Sequence, residues 1–141
     1  MPRINTSHLP TRLVTGAFIL SSGLGKWSGN KEMAAGVHGL AAGTYPILNN
    51  LEAPKFLKIL AGAEIALGAA LLAPIVPAAA AGAALTGFAA GLLGLYVRTP
   101  GMRTGIRPTP DGIAIAKDVW LLGIGAELCT DGIRNRSSLP T

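Results

Sequence analysis

The sequence predicts an all-α membrane protein, built as a four-transmembrane-helix up-and-down bundle with a short interfacial or re-entrant helix between helices 1 and 2. Half of the 141 residues are hydrophobic and only 13% are charged, whereas soluble domains carry about 25% charged residues. The mean hydropathy of +0.46 is correspondingly high. Gly and Ala are abundant and aromatic residues make up 5%, which is typical of closely packed membrane helices.

The N-terminal part of the chain predicts a tail and one spanning helix. Residues 1–10 form the tail, and because they lack the pattern of a cleaved signal peptide we expect the first helix to be retained. Helix 1 is predicted over about 11–28, since a spanning helix needs about 20 mostly apolar residues. Lys26 and Trp27 suit an interfacial end. Residues 29–55 are semi-apolar and Gly-rich, which favours a short interfacial or re-entrant helix over a fifth crossing.

The rest of the chain predicts three more spanning helices, over about 56–74, 78–98 and 111–131. Pro74 and Pro77 separate the first two so closely that only a tight antiparallel hairpin fits. The transmembrane domain therefore covers 11–131. Residues 132–141 are predicted to be a disordered tail.

Most basic residues collect at one end of this predicted bundle: Lys26, Lys31, Lys55, Lys58, Arg98, Arg103 and Arg107. The opposite end has only Arg3, Arg12, Arg134 and Arg136. Lys and Arg concentrate in cytoplasmic loops, so we expect a multi-pass protein of the plasma membrane with both termini outside. The net charge of +5 does not indicate nucleic acid, because no basic run or aromatic-basic motif accompanies it.

Glu64 is a carboxylate in the apolar run "ILAGAEIALGAALL", six residues past Lys58 and so about 9 Å deeper in helix 2. Lys117 and Asp118 of helix 4 lie at a similar depth. A lone charge in hydrocarbon costs several kcal/mol, so we expect Glu64 to face the bundle interior and pair with Lys117 or a nearby donor. Asp118 is then expected to pair with Lys26 or Arg98. Lys117 extending outward to the surface is the alternative.

Two accounts of these charges stay open at this point. They form either an ion-pair clasp that fixes helix register, or a polar pocket for a small ligand, a quinone head group or a partner's helix. Glu64 facing a partner subunit is a third arrangement. The predicted pocket residues are Glu64, Lys117, Asp118, Lys26, Arg98 and Trp120. Gly87, Gly91 and Gly94 predict a helix-packing face, either within the chain or against another subunit.

Several kinds of chemistry are not expected. The chain has two histidines, His8 and His38, and one cysteine, Cys129, so neither a metal or haem site nor an internal disulfide is predicted. No nucleophile elbow, Walker loop, zinc-protease motif or dinucleotide fingerprint occurs. We therefore assign no catalytic residue, expect no catalysis by this chain alone, and expect no bound cofactor beyond a quinone contact.

Three stretches resemble the DoxX-like family of small four-helix integral membrane proteins. "RLVTGAFILSSGLGKW" resembles its first helix and "AGAEIALGAALL" its second, while the tight hairpin and "KDVWLLGIGAEL" resemble its third and fourth. The resemblance covers about 11–131 and matches Lys26 and Glu64 to the family's helix-1 Lys and helix-2 Glu. Some family members are subunits of quinone-linked thiosulfate oxidoreductases, and others accompany membrane redox complexes that handle thiol or oxidative stress.

The resemblance implies an accessory subunit of a membrane-associated oxidoreductase complex, either quinone-linked or concerned with thiol or oxidative stress. Its partners would be the lipid bilayer and a larger membrane protein complex or a homo-oligomer. A non-enzymatic structural or assembly subunit is the alternative. A small oligomeric transporter is weaker, because four helices are few and no inverted repeat is visible. The Gly- and Ala-rich composition suggests a bacterial source.

Overall fold

The computed structural model describes residues 6–137, and these residues form an all-α fold, as predicted. Its helices are α1 (Leu9–Trp27), α2 (Lys31–Thr44), α3 (Ala53–Leu72), α4 (Ala78–Arg98), α5 (Ile113–Ala116) and α6 (Val119–Ser137). Short 3-10 turns at Thr6–His8 and Pro46–Asn50 precede α1 and α3. The first part of the predicted N-terminal tail, residues 1–5, lies outside the described residues, whereas residues 6–10 are already helical.

The predicted four-transmembrane-helix bundle is wrong. Among the described residues only α4 is long and apolar enough to cross a membrane. Polar residues weaken the other long helices: α1 contains Arg12 and Lys26, while α3 contains Lys55, Lys58 and Glu64. The last third of α6 is also polar. Counting apolar stretches by length alone therefore overestimated the number of spans.

The segment between α1 and α3 contains one α-helix, α2, which is too short to be a candidate span. Asn30 begins it, because the Asn30 side-chain oxygen accepts from the Met33 N–H at 2.9 Å, a standard N-cap contact. Its 14 residues extend only about 21 Å. The Tyr45 hydroxyl then donates to the Gly91 carbonyl at 2.8 Å and ties the end of α2 to α4.

The predicted hairpin between α3 and α4 is present, and α4 has the predicted bounds. Backbone N–H groups of Ala73 and Val76 close the turn onto Ala69 and Ala73 at 2.9 and 3.1 Å. The closest helix pairs, however, are α1 with α3 and α4 with α6. A common apolar core joins both pairs: Ile19, Leu67, Leu71, Ala81, Leu85 and Leu128.

Glycines allow the close approach within each helix pair. A Cβ added at Gly23 of α1 would lie 2.8 Å from the Ile65 nitrogen of α3. One added at Gly82 of α4 would lie 2.7 Å from the Gly125 oxygen of α6. Both contacts are too short for a real side chain, so each pair packs backbone against backbone, as in membrane helices with small-residue interfaces.

Two of the three glycines predicted to form a packing face on α4 do not pack against another helix among the described residues. Gly87 and Gly91 are exposed, and added Cβ atoms there would meet nothing within 4 Å. Gly94 instead faces the Tyr45 side chain at the end of α2. The reason is that α6 packs on the side of α4 that carries Gly82. Contact of Gly87 and Gly91 with another subunit stays a prediction.

The C-terminal region differs from the single helix predicted over 111–131. A small antiparallel pair, β1 (Arg103–Thr104) and β2 (Arg107–Pro108), follows α4. Its tight turn includes Gly105, whose φ of +63° suits glycine. The predicted helix 4 is then interrupted at Lys117 and Asp118, between α5 and α6, where hydrogen bonds tighten to the i→i+3 pattern.

The predicted disordered tail is also wrong as far as Ser137, where α6 ends. Tertiary contacts extend the helix: the Asp131 side chain contacts His8, and Gly132 lies against the backbone of Ala79. Residues 138–141 of the predicted tail lie outside the described residues.

Candidate functional site

The main polar site inside the fold is an ion pair between α1 and α3. The Lys26 ammonium lies 3.0 Å from the Glu64 carboxylate. Glu64 is almost fully buried, at 4% exposed, whereas 24% of the Lys26 side chain is exposed. Lys26 also donates to the Ser22 hydroxyl at 2.6 Å. The carboxylate is thus enclosed, and its cation remains partly open.

Close packing of α1 on α3 produces this geometry. Lys26 and Ser22 are four residues apart on α1, so they share one helix face. Gly23 lies beside them, and an added Cβ there would be 2.9 Å from the Glu64 Cβ. Because Gly23 has no side chain, α1 approaches closely enough for Lys26 to reach Glu64.

Asp118 adds a second carboxyl group to the site from the junction of α5 and α6. It is half-buried, and both Glu64 and Lys26 act on it electrostatically. Asp118 makes no direct ion pair with any described residue. When all three groups are ionised, the cluster carries two negative charges and one positive charge, so it does not attract a further anion.

Lys26 also lies on an open groove of about 500 Å³ between α1 and α2. Its walls are Phe18, Ser21, Ser22, Gly25, Lys26, Met33 and Val37. The groove has an apolar part formed by aromatic, thioether and aliphatic side chains. Its polar part consists of Lys26 and the two serines. Such a combination of an apolar wall with a few polar groups is typical of small-molecule sites.

The structure brings only part of the predicted pocket together. Glu64 faces the interior as expected, but its partner is Lys26, and Lys117 is exposed. The turn at Lys117 and Asp118 interrupts the helix, which explains why Lys117 does not follow the predicted helical face. Arg98 is exposed at the end of α4 and makes no ion pair with Asp118.

Trp120 is 71% exposed and does not line the groove. The groove residues contributed by α2, Met33 and Val37, were missed because the sequence does not show where a short helix docks. The link between Ser22 and Lys26 was also missed, although their i,i+4 spacing is a signal that could have found it.

Arg12 forms a second buried polar site, which the sequence did not predict. Its guanidinium donates to the carbonyl oxygens of Ala70, Leu71, Ala73 and Val76 at 2.8–3.1 Å. These carbonyls lie at the end of α3 and in the turn to α4, where a helix leaves acceptors without partners. Arg12 therefore closes the C-terminal end of α3 and holds α1 against the hairpin.

A third polar contact joins the beginning and end of the described chain. The ring of His8, which is 5% exposed, contacts the Asp131 carboxylate at 3.1 Å. It places the start of α1 beside the last turns of α6. The first and last parts of the described segment, residues 6–137, therefore lie at the end of the molecule where Arg12 lies.

Within residues 6–137, no group of histidine, cysteine and carboxylate side chains is arranged to hold a metal ion. No protein-family model, no curated protein and no solved structure matches this chain.

Proposed function

We propose that the protein is a membrane-embedded accessory subunit of an oxidoreductase complex. The observation that carries the membrane part is the distribution of side chains. Polar residues are buried: His8, Arg12, Thr15, Thr44 and Glu64. Large apolar residues are exposed along the helices, among them Leu13, Val14, Phe18, Ile59, Val97 and Val119. Water disfavours extended apolar surfaces of this kind, whereas acyl chains are a suitable solvent for them.

The α3–α4 hairpin supports a multi-pass location in the plasma membrane. α4 is the candidate span, and α3 is 20 residues long and returns beside it. The lysines of α3 lie near its first turns, at Lys55 and Lys58. Its one internal charge, Glu64, is paired with Lys26. Pairing and burial lower the cost of placing α3 in lipid.

Charge supports one orientation of the subunit. The exposed basic side chains of the loops lie at the end where α1 and α4 finish and α3 begins: Lys31, Lys55, Lys58, Arg98, Arg103 and Arg107. Cytoplasmic loops collect Lys and Arg, so this end faces the cytoplasm. The first and last described residues, 6 and 137, lie at the opposite end, and we propose that this end faces the outside.

The redox part of the proposal rests on the DoxX-like resemblance and on the pair that it singles out. Lys26 and Glu64, matched to the family's charged positions, are in contact. Lys26 also lies at a groove that a quinone head group or a partner's helix could reach. A purely structural or assembly subunit is the competing function. It is favoured by the ion pair itself, because Lys26 already neutralises the Glu64 carboxylate without any ligand. A small oligomeric transporter is the weaker competitor.

Membrane embedding is tested by alkaline carbonate extraction of membranes from cells that express the full chain. We expect the protein to remain in the pellet with a known integral membrane protein. Release into the supernatant with peripheral proteins would contradict the membrane part of the proposal.

The accessory role is tested by mild-detergent purification of the full chain from its native membranes. We expect a quinone-linked or thiol-oxidising enzyme to co-purify, and Glu64→Gln to reduce the activity of that complex while leaving the assembly intact. Co-purification of the complex with no effect of Glu64→Gln would favour the assembly role. A lone oligomer without a redox enzyme would reject the accessory role.

A further inference from the structure

We infer that the β1–β2 hairpin, residues 103–108, is a docking element for an acidic protein partner. Ile106 enters an apolar pocket of that partner, and Arg107 pairs with carboxylates at the rim of the pocket. The inference rests on the proposed role in a larger complex, and it adds the surface that makes the contact and the chemistry of the partner.

The turn that contains Ile106 does not explain its presence. Thr104 pairs with Arg107, so Gly105 and Ile106 are the two central residues of the hairpin loop. Gly105 has a φ of +63°, whereas the φ of Ile106 is negative, which is the pattern of a type II′ turn. Glycine suits the first position of that turn, and the second commonly holds Asn, Asp or Ser. A β-branched apolar residue adds nothing to the turn, so its use points outside the fold.

Packing does not explain Ile106 either. Its side chain is 94% exposed, more than any other exposed large hydrophobic side chain of the described residues. Other exposed apolar side chains, such as Val14 and Phe18, lie along a helix, where acyl chains are a suitable solvent. Ile106 lies instead at the tip of a hairpin, between Arg103 and Arg107. Burial in a partner would remove this side chain from water, which is the main favourable term in protein association.

The hairpin is held in a fixed shape. The Tyr96 hydroxyl donates to the Ile106 carbonyl at 3.3 Å. The Arg103 guanidinium donates to the carbonyls of Val97 and Gly105 at 3.2 and 2.7 Å. These bonds tie the loop to the end of α4 on both sides of its tip. A preformed tip loses little conformational entropy on binding, which suits a protein pocket of defined shape.

Charge determines the chemistry of the partner. Residues 98–117 contain four basic side chains and one acidic side chain, a net charge of +3: Arg98, Arg103, Arg107, Lys117 and Asp111. Arg98 and Arg107 are exposed and make no hydrogen bond or ion pair with another residue of 6–137. A guanidinium binds a carboxylate through two parallel N–H donors. The partner is therefore expected to present Asp or Glu side chains beside its apolar pocket.

An anionic membrane surface is the competing occupant, because lipid phosphates also bind arginine. Membrane interfaces are anchored mainly by Trp and Tyr, and the tip of the hairpin has neither. Tyr96, the aromatic residue that contacts the hairpin, uses its hydroxyl to hold the loop. A single Ile on a rigid tip therefore favours a protein pocket over a fluid headgroup layer.

The occupant is identified by photo-crosslinking of the full chain in cells of its native host, with benzoylphenylalanine in place of Ile106. The matched control carries the same probe in place of Ile75, an 82% exposed Ile in the turn between α3 and α4. We expect a discrete protein adduct from position 106 that is absent from position 75. The crosslinked peptide of the partner should contain Asp or Glu beside apolar residues. A lipid adduct, no adduct, the same adduct from position 75, or a partner peptide without carboxylates would overturn the inference.

Substitutions separate docking from a role in the fold. Ile106→Asn places a favoured turn residue at the tip, so we expect an unchanged or higher thermal unfolding midpoint. Mild-detergent purification of this variant should recover at least about tenfold less of the crosslinked partner than wild type. Arg107→Glu reverses the charge beside the tip and should also reduce recovery by about tenfold. Ile75→Asn and Arg134→Glu are the matched controls at the opposite end of the molecule.

We expect both control variants to recover the partner as wild type does. Wild-type recovery with Ile106→Asn or Arg107→Glu would overturn the inference, and so would an equal loss in the controls. A lower thermal midpoint of Ile106→Asn would assign Ile106 to the fold and would also overturn it.

The hairpin inference and the proposed function can fail separately. If a redox enzyme co-purifies equally with wild type and Ile106→Asn, the accessory role stands and only the hairpin inference fails. If position 106 crosslinks to an acidic protein but no redox enzyme co-purifies, the hairpin inference stands and the accessory role fails.

Discussion

The two cations of α1, Arg12 and Lys26, are held in different ways. Arg12 is 8% exposed and donates to four backbone carbonyls at the end of α3. Lys26 pairs with one carboxylate and one hydroxyl, and it stays partly open to a groove. Arg12 uses four of the five donors of a guanidinium, which is typical of a structural residue. Lys26 keeps one N–H donor that is not used by the described residues, and it lines an open groove. This combination is typical of a ligand-binding residue.

The two residues of α1 therefore have different expected roles: Arg12 in stability, and Lys26 in both stability and binding. The Arg12 site holds α1 to the hairpin, and nothing on the α1–α2 groove depends on its charge. The Lys26 site contributes stability through Glu64, but its remaining donor has no structural use among the described residues. Substitutions at the two sites should therefore differ in the size of their effect on unfolding and in their effect on ligand binding.

The largest expected effect on stability follows Arg12→Met. It leaves several carbonyls at the end of α3 without donors, so we expect a loss of about 3 kcal/mol or more in the free energy of unfolding. Chemical unfolding in detergent micelles measures it. Arg98→Met is the matched control at an exposed arginine and should change stability by less than about 0.5 kcal/mol. If both substitutions lowered the free energy of unfolding by the same amount, Arg12 would have no special structural role.

The second effect concerns Lys26→Met, which leaves Glu64 buried without a cation. We expect a loss of about 2–3 kcal/mol, below the usual figure for a broken buried pair because Lys26 is partly exposed. Glu64→Gln should cost about 1 kcal/mol, since the amide oxygen still accepts from Lys26. Unfolding of the double variant completes the cycle, and its cost should be smaller than the sum of the two. Strict additivity would show that the pair is not coupled, and Lys117→Met should have no coupling to Glu64.

The third effect tests the close approach that brings Lys26 to Glu64. A Cβ in Gly23→Ala would meet the backbone of α3 within 3 Å, so we expect α1 to shift and stability to fall by about 2 kcal/mol. Gly25→Ala is the control two residues away. Its Cβ meets open space, and the higher helix propensity of Ala should raise stability by up to about 1 kcal/mol. Thermal unfolding distinguishes the two, and a neutral Gly23→Ala would contradict the close packing.

The smallest effect is expected at the His8–Asp131 contact, near the Arg12 end. Asp131 is half-exposed, so Asp131→Asn should cost about 1 kcal/mol or less. Its clearer consequence is faster proteolysis of the segment before α1, because His8 loses its anchor on α6. Limited proteolysis measures this, with Glu127→Gln as an exposed control on the same helix. Unchanged cleavage in Asp131→Asn would show that the contact does not hold the segment.

Part of this comparison could be predicted from the sequence. Pro74 and Pro77 correctly indicated the α3–α4 hairpin, because proline ends helices whatever the tertiary structure. The apolar surroundings of Glu64 indicated that it faces inward. The partner of Glu64 could not be derived in the same way. Choosing Lys26 over Lys117 depends on which helices pair, and on the turn at 117–118 that interrupts the predicted helix.

Other features depended on contacts that sequence periodicity does not encode. The sequence shows Arg12 only as one of the charges at the end of the predicted bundle. Its stabilising role depends on backbone carbonyls about sixty residues away, which accept its hydrogen bonds. Gly87 and Gly91 form a GxxxG pattern, but α6 packs on Gly82 instead. Only one of the four predicted spans remains a candidate among the described residues, because the charged residues inside α1 and α3 make these helices too polar.

The measurement that tests the account most directly is spin-label accessibility in lipid vesicles, in a Cys129→Ala background. Labels at Val14→Cys and Ile106→Cys compare two exposed apolar positions, 73% and 94% exposed, one on the side of α1 and one in the β1–β2 turn. We predict that the Val14→Cys label relaxes with oxygen and little with a water-soluble nickel chelate, and that the Ile106→Cys label behaves in the opposite way. Equal access of the nickel chelate to both labels would contradict a membrane-embedded fold.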